Sequence, residues 1–457
     1  MSPHGGRARG CRGQRGSSPR YGAHGASLKF GGTLPMSLAM ADSAHDRGLF
    51  AKLLELSVPL VSGVALAVLW ANLDAEGYAH FVHWSPFGHD SHYGIHFAVN
   101  DIFMALFFGI AAKEIVESVL PGGALNPPRK AVNPLLGTLG GVLGPVGAYF
   151  AWVAFTGDQS IANGWGIPTA TDIALAWLIA RLTFGKSHPA VQFLLLLAVA
   201  DDALGLGIIA IFYPDPAHPV APAFLGLVAG AMAFAFALRK GGVKSFWAYL
   251  AGPGVMSWFG LYLAHLHPAL ALVAVVPFMP SAEHDEGLFQ EGVGAHAGTH
   301  TDTLNRFEHF FKAPVDCGLF FFGLANAGVV FSNVGNATWG VLLALLVGKT
   351  VGIFFFAFLG DRLGFPLPQG MNARSLLVAG MIAGLGLTVA LFVAGVAFTD
   401  RGLQGAAKMG ALLSVVAAPL ALVAGKLLGV RELAPARKPE RPELKDPSSP
   451  GSIPAPA

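Results

Sequence analysis

The stretch PAVQFLLLLAVADDALGLGIIAIF, residues 189–212, sets the reading of the whole chain. It is apolar from end to end except at Ala200-Asp201-Asp202, and a run of ~20 such residues is long enough to cross a bilayer. A charge at bilayer depth costs at least ~2.5 kcal/mol, so such residues are rare unless they serve an ion path. Two other apolar runs carry charge in the same way, at Thr169-Ala170-Thr171-Asp172 and at Gly348-Lys349. Three carboxylates and one ammonium thus stand where apolar side chains would be cheaper.

The composition agrees with a membrane reading. The 457 residues are 53% hydrophobic and only 12% charged, against roughly 25% charged in soluble domains. Mean hydropathy is positive, at +0.56. These values indicate a polytopic membrane protein rather than a soluble domain with one anchor. The two cysteines, Cys11 and Cys317, lie far apart and offer neither a disulfide framework nor a metal-ligand spacing. The 59 glycines suit close helix packing in lipid. Nothing points to nucleic acid, an enzyme or a cofactor.

Outward from residues 189–212, apolar windows predict twelve spans, near 50–72, 97–119, 131–156, 165–184, 189–212, 219–238, 245–265, 267–279, 313–333, 337–360, 374–398 and 405–428. The eighth is short, bounded by Pro268 and Pro280. The transporter domain runs over 47–430. The Gly- and Arg-rich arm 1–46, in which Met36 and Met40 are alternative starts, and the tail 431–457 read as disordered. Basic residues fall in alternate loops: Arg129 and Lys130, Arg181 and Lys186, Arg239, Lys240 and Lys244, Arg306 and Lys312, Arg362 and Arg374, whereas the other loops carry only Arg401. By the excess of Lys and Arg on the cytoplasmic side, both termini lie inside. The outer loop 73–96 holds His80, His83, His89, His92 and His96, with no zinc spacing, and 281–303 (Glu283, His284, Asp285, Glu286, His296, His300) reads as a solvated loop.

Depth can be counted along the helices. Asp172 lies twelve residues before Phe184, Asp201 twelve after Pro189, and Lys349 twelve before Asp361. At 1.5 Å per residue each sits roughly 18 Å from the cytoplasmic end, in one layer near the midplane. Asp201 and Asp202 point about 100° apart, so they fill different roles. One lysine cannot neutralise three acids, which leaves carboxylate free to hold a cation. Spans 4 and 11 enter this layer through Gly164-Trp165-Gly166-Ile167-Pro168-Thr169-Ala170-Thr171 and Gly380-Met381-Ile382-Ala383-Gly384-Leu385-Gly386-Leu387-Thr388, sequences that break helices. They hold matching places in spans 3–5 and 10–12, two triplets of opposite orientation. The expected fold is therefore an all-α polytopic membrane protein with 12 transmembrane helices and inverted repeats, in which interrupted helices 4 and 11 cross at the midplane. Asp172 and Lys349 would offset the half-helix dipoles that meet there.

These motifs, with Pro168-Thr169-Ala170-Thr171-Asp172-Ile173-Ala174, Asp201-Asp202, Phe322-Gly323-Leu324-Ala325-Asn326-Ala327-Gly328-Val329, Gly348-Lys349 and Gly384-Leu385-Gly386-Leu387-Thr388, resemble the NhaA-type sodium/proton antiporter family over roughly 48–430. The resemblance implies exchange of Na+ or Li+ for protons across the bacterial inner membrane, electrogenic with two protons per sodium, in the service of pH and sodium homeostasis. Asp172 and Asp202 would supply oxygens to the ion, with Thr171 beside it. Asp201 would pair with the charge-compensating Lys349 and take part in proton carriage. Glu114, Glu308 and His309 fall in regions the family associates with pH response. Two departures stand out there. Ala112-Lys113-Glu114-Ile115-Val116-Glu117-Ser118 replaces the family's Gly-Leu-Glu-x-Lys-Arg-Glu, and Glu308-His309-Phe310-Phe311-Lys312 replaces Glu-His-x-x-His. The resemblance thus carries the ion site but not the pH profile. Homodimers occur in the family, and the 73–96 loop is a candidate contact.

Three other classes compete with this reading, of which a channel is disfavoured because it would not need a mid-membrane lysine beside the acids. An intramembrane aspartyl protease requires an acid after Gly384-Leu385-Gly386, and Leu387 stands there. A sodium-coupled solute symporter is the alternative; it requires an organic-substrate pocket, and no cluster of Arg, Asn or aromatic residues converges beside the acids.

Overall fold

The computed structural model describes residues 57–86, 93–121, 125–126, 128–214, 218–281 and 302–430. The terminal arms, His89, His92 and nearly all of the 281–303 loop lie outside them. Among the described residues every regular element is helical. Six helices are long and apolar enough to cross a membrane: Ile95–Val119, Ala131–Thr156, Pro189–Phe212, Pro222–Lys240, Asn336–Arg362 and Arg401–Leu427. Two further pairs qualify when each is taken as one bent span. Gln159–Thr169 meets Ile173–Phe184 at 61°, and Ala373–Ala383 meets Thr388–Ala397 at 50°. The chain is a multi-pass membrane protein.

Two of the twelve expected spans take other forms among the described residues, and two more need a qualification. Of the first expected span, 50–72, the described part is the helix Val58–Leu73, and residues 50–56 lie outside the described ones. The 245–265 run is an unbroken helical stretch over 246–263, whose turn at Leu250–Gly254 widens into a π-turn where Pro253 removes a backbone donor. The 267–279 run, read as a short span because it is apolar, forms only the turns Pro268–Leu270 and Val276–Phe278. Pro268 stands at the first position of its turn, where proline is tolerated, and Pro277 lacks the amide that would carry a helix on through the second turn. The expected 313–333 helix instead runs Thr303–Asn326. Asp302 caps it, its Oδ1 accepting from the Asn305 amide at 3.0 Å, and Leu304, Phe307 and Phe311 bury one face of a stretch that composition alone marks as polar.

The helix Pro128–Thr156 packs on Asn336–Arg362 with backbones in contact. A Cβ added to Gly140 would overlap the Gly352 carbonyl, and one added to Gly144 would overlap that of Gly348. Small residues four apart on both helices permit this approach. Asn133 Nδ2 donates to Ala357 O at 2.9 Å near one end of the pair, and Trp152 Nε1 donates to Asn336 O at 2.9 Å near the other. This contact fixes the position of Lys349.

The two helix breaks face each other, and their backbone groups are satisfied by one another and by Ser414. The Asp172 amide donates to Leu385 O at 2.7 Å. Thr171 Oγ1 donates to Ala383 O at 3.0 Å. The Gly386 amide donates to Ser414 Oγ at 3.3 Å. Unpaired backbone groups are tolerated in apolar surroundings only where they find such partners or line a cavity. Pro168 on one side and Gly384 and Gly386 on the other explain why the helices stop here.

Candidate functional site

The breaks deliver the charged residues. Asp172 is the N-cap of Ile173–Phe184, its Oδ1 accepting from the Leu175 amide at 3.1 Å. Its Oδ2 accepts from the other break, from the Thr388 amide at 3.3 Å and Thr388 Oγ1 at 3.1 Å. A carboxylate at two helix N-termini gains from both dipoles and from otherwise orphan amides.

Asp201 and Lys349 are both fully buried and lie 3.0 Å apart. Thr171 Oγ1 also lies 2.9 Å from Asp201 Oδ2, so its single hydroxyl proton is shared between this carboxylate and Ala383 O. Lys349 Nζ donates in addition to Thr169 O, at 2.6 Å, so the ammonium compensates a carbonyl freed by the first break. Gly141 packs against the far Asp201 oxygen, where a Cβ would come within 3.2 Å. Asp202, next along the helix, points elsewhere. It is 8% exposed, and its Oδ1 has no hydrogen-bond partner among the described residues.

A cavity of about 240 Å³ reaches these residues. Thr171, Asp172, Asp202 and Thr388 line it, whereas Asp201 and Lys349 do not. The two adjacent acids therefore divide: one is buried against an ammonium, the other opens on a space with a second carboxylate and two hydroxyls. Such a set of hard oxygens suits a small alkali cation or a proton.

The three residues in the regions associated with pH response separate as well. Glu114 and Glu308 line the same cavity. His309 is exposed and is not among its lining residues. Sequence reasoning assigned no role to Lys113, which is fully buried and stands 2.5 Å from both Glu117 and Glu308. The basic pair missing from this region is thus replaced by a lysine on the preceding turn. The i, i+4 spacing to Glu117 was a readable signal; the bond to Glu308, 195 residues away, was not. In the sequence Thr388 only marks the end of a break, and its bond to Asp172 emerges once the two breaks are in place.

A family model described as Na+/H+ antiporter 1 matches residues 51–428. The chain belongs to that family. Na+/H+ antiporter relatives span nearly their whole length in the comparison. The chain is 58% identical to Na(+)/H(+) antiporter NhaA of Geobacter metallireducens over 83% of this chain and 97% of the relative. It is 58% identical to that of Geotalea uraniireducens over 83% and 96%, and 57% identical to that of Desulfitobacterium hafniense over 83% and 96%. Proteins of the Na+/H+ antiporter 1 family are transporters, not enzymes.

Proposed function

We propose that this chain exchanges Na+ or Li+ for protons across the bacterial inner membrane, with Asp172 and Asp202 as the shared site. One observation carries the reading: Asp202, nearly fully buried and with one carboxylate oxygen unpartnered among the described residues, lines a cavity together with Asp172, Thr171 and Thr388. The family's description and the names of its relatives support Na+ and H+ as the exchanged ions.

In this mechanism cation and proton compete for the same carboxylate oxygens, so the site holds one or the other. Thr171 contributes an oxygen beside the ion, and Asp201 with Lys349 balances the charge behind it and takes part in proton carriage. Opposed helix breaks, inverted repeats and a crossing at the midplane form the frame, and a twelve-pass path, with 267–279 crossing as turns rather than as a helix, leaves both termini cytoplasmic. If the structure rearranges only when the site is neutralised, exchange follows without a separate coupling device. Carrying two protons in for each Na+ out makes the cycle electrogenic. A homodimer through the 73–96 loop belongs to the same proposal. The solute-symporter alternative finds no supporting observation.

The test is proton flux in vesicles holding the full chain, followed with a pH-sensitive dye as NaCl is stepped. Wild type alkalinises or acidifies the lumen with salt alone, and Asp202→Asn does not. Robust Na+-driven flux in Asp202→Asn overturns the site, and a solute requirement in wild type overturns the exchange.

A further inference from the structure

The cavity that reaches Asp172 and Asp202 has a second charged wall, on the helix Thr303–Asn326. Glu308, Lys312 and Asp316 follow one another at i, i+4 steps, so they share one face of that helix, and all three line the cavity. Two of them are engaged. Glu308 is bonded to Lys113 and stands 4.0 Å from Lys312. Asp316 makes neither a hydrogen bond nor an ion pair among the described residues. A half-buried, uncommitted carboxylate is costly in an apolar span unless it serves something that passes.

We propose that Asp316 is a specificity-determining carboxylate of the entry path: it concentrates the alkali cation in the cavity and passes it by Glu114 to the Asp172 and Asp202 oxygens. Lys312, one turn earlier and 55% exposed at its side chain, opposes cation entry and sets the balance of the path. The cavity therefore carries two functions along its length. Asp172 and Asp202 hold the ion, whereas Asp316 and Lys312 set how readily it arrives, because a charged, low-dielectric cleft raises the local concentration of its counter-ion. The inference rests on the exchange reading above.

Initial rates of Na+-dependent proton flux, measured on the full chain in lipid vesicles across a NaCl series, test it. Asp316→Asn raises the KM for Na+ about fivefold, the size expected for one unit charge several ångström from the ion in a partly screened setting. Its maximal rate stays within about twofold of wild type, since the holding site is intact. Asp316→Glu restores the wild-type KM, and Lys312→Gln moves it the opposite way, downward. Added choline chloride narrows the gap between Asp316→Asn and wild type as the cavity mouth is screened. An unchanged KM in Asp316→Asn overturns the inference while leaving the exchange reading standing. So does a loss confined to maximal rate that glutamate fails to restore, which marks a structural role. Wild-type flux that ignores Na+ overturns both.

Discussion

Lys349 stands between Asp201 and the carbonyl of Thr169, with no exposure to solvent. Replacing it with methionine keeps the volume and removes the charge. Asp201 then retains only the Thr171 hydroxyl at 2.9 Å, as a buried carboxylate with no cation. Breaking a buried pair in this way costs about 3–5 kcal/mol. At about 2 °C per kcal/mol for a chain of this size, the melting midpoint falls by at least about 5 °C. Asp201→Asn alone leaves the ammonium facing a carbonyl and an amide, and costs a similar amount. The double variant Asp201→Asn/Lys349→Met removes both charges together and returns to within about 2 kcal/mol of wild type, because neutral groups of matching shape tolerate the site. The coupling is the failure of the single effects to add. Thermal unfolding of the purified protein in one detergent, at one scan rate, supplies all four midpoints. Additive losses in the double variant, or a Lys349→Met midpoint within 1 °C of wild type, would refute the reasoning that this contact is an ion pair bearing on stability.

Two further outcomes are expected. Lys113→Met leaves the Glu117 and Glu308 carboxylates without the cation between them, so its midpoint falls by several degrees and is recovered when Glu308→Gln is added; no recovery in the double variant sinks the assignment. His188, in the loop before Pro189–Phe212, accepts from the Ala190 amide through Nδ1 at 3.1 Å, which requires that nitrogen unprotonated. Burial holds its pKa below the ordinary 6.5. The unfolded chain therefore takes up the proton first as pH falls, and this cap's stabilisation is complete above about 6.5 and declines toward the folded value. Melting curves of wild type and His188→Asn diverge below pH 6.5, wild type losing more; parallel curves from pH 5 to 8 rule the cap out as the titrating element.

What could be read in advance followed a physical rule. Asp172, Asp201, Asp202 and Lys349 stand out because charge in an apolar run is expensive, and the two breaks stand out because Gly, Pro and Thr weaken helices. Both signals are local, and both lead to residues that the fold gathers. The contact of Thr388 with Asp172 joins positions 216 residues apart, and no local pattern encodes it. The Lys113–Glu308 bond is equally remote. Span boundaries failed where composition and packing disagree. Thr303–Phe311 is polar on average yet buries an aromatic face, whereas 267–279, apolar after His267, forms only two short turns. Hydropathy averages over both faces of a helix and does not sense the backbone.

The glycine contact between Pro128–Thr156 and Asn336–Arg362 has a consequence for motion. Two helices touching main chain to main chain in the middle, and tied near both ends by Asn133 and Trp152, turn together as a single plank. Lys349 rides on that plank, but Asp201 belongs to a neighbour, the helix Pro189–Phe212. The ion pair therefore spans a seam. Any swing that opens the cavity toward one side of the bilayer must either carry Asp201's helix along with the plank or part the two charges, so their separation is a gauge of which way the molecule faces.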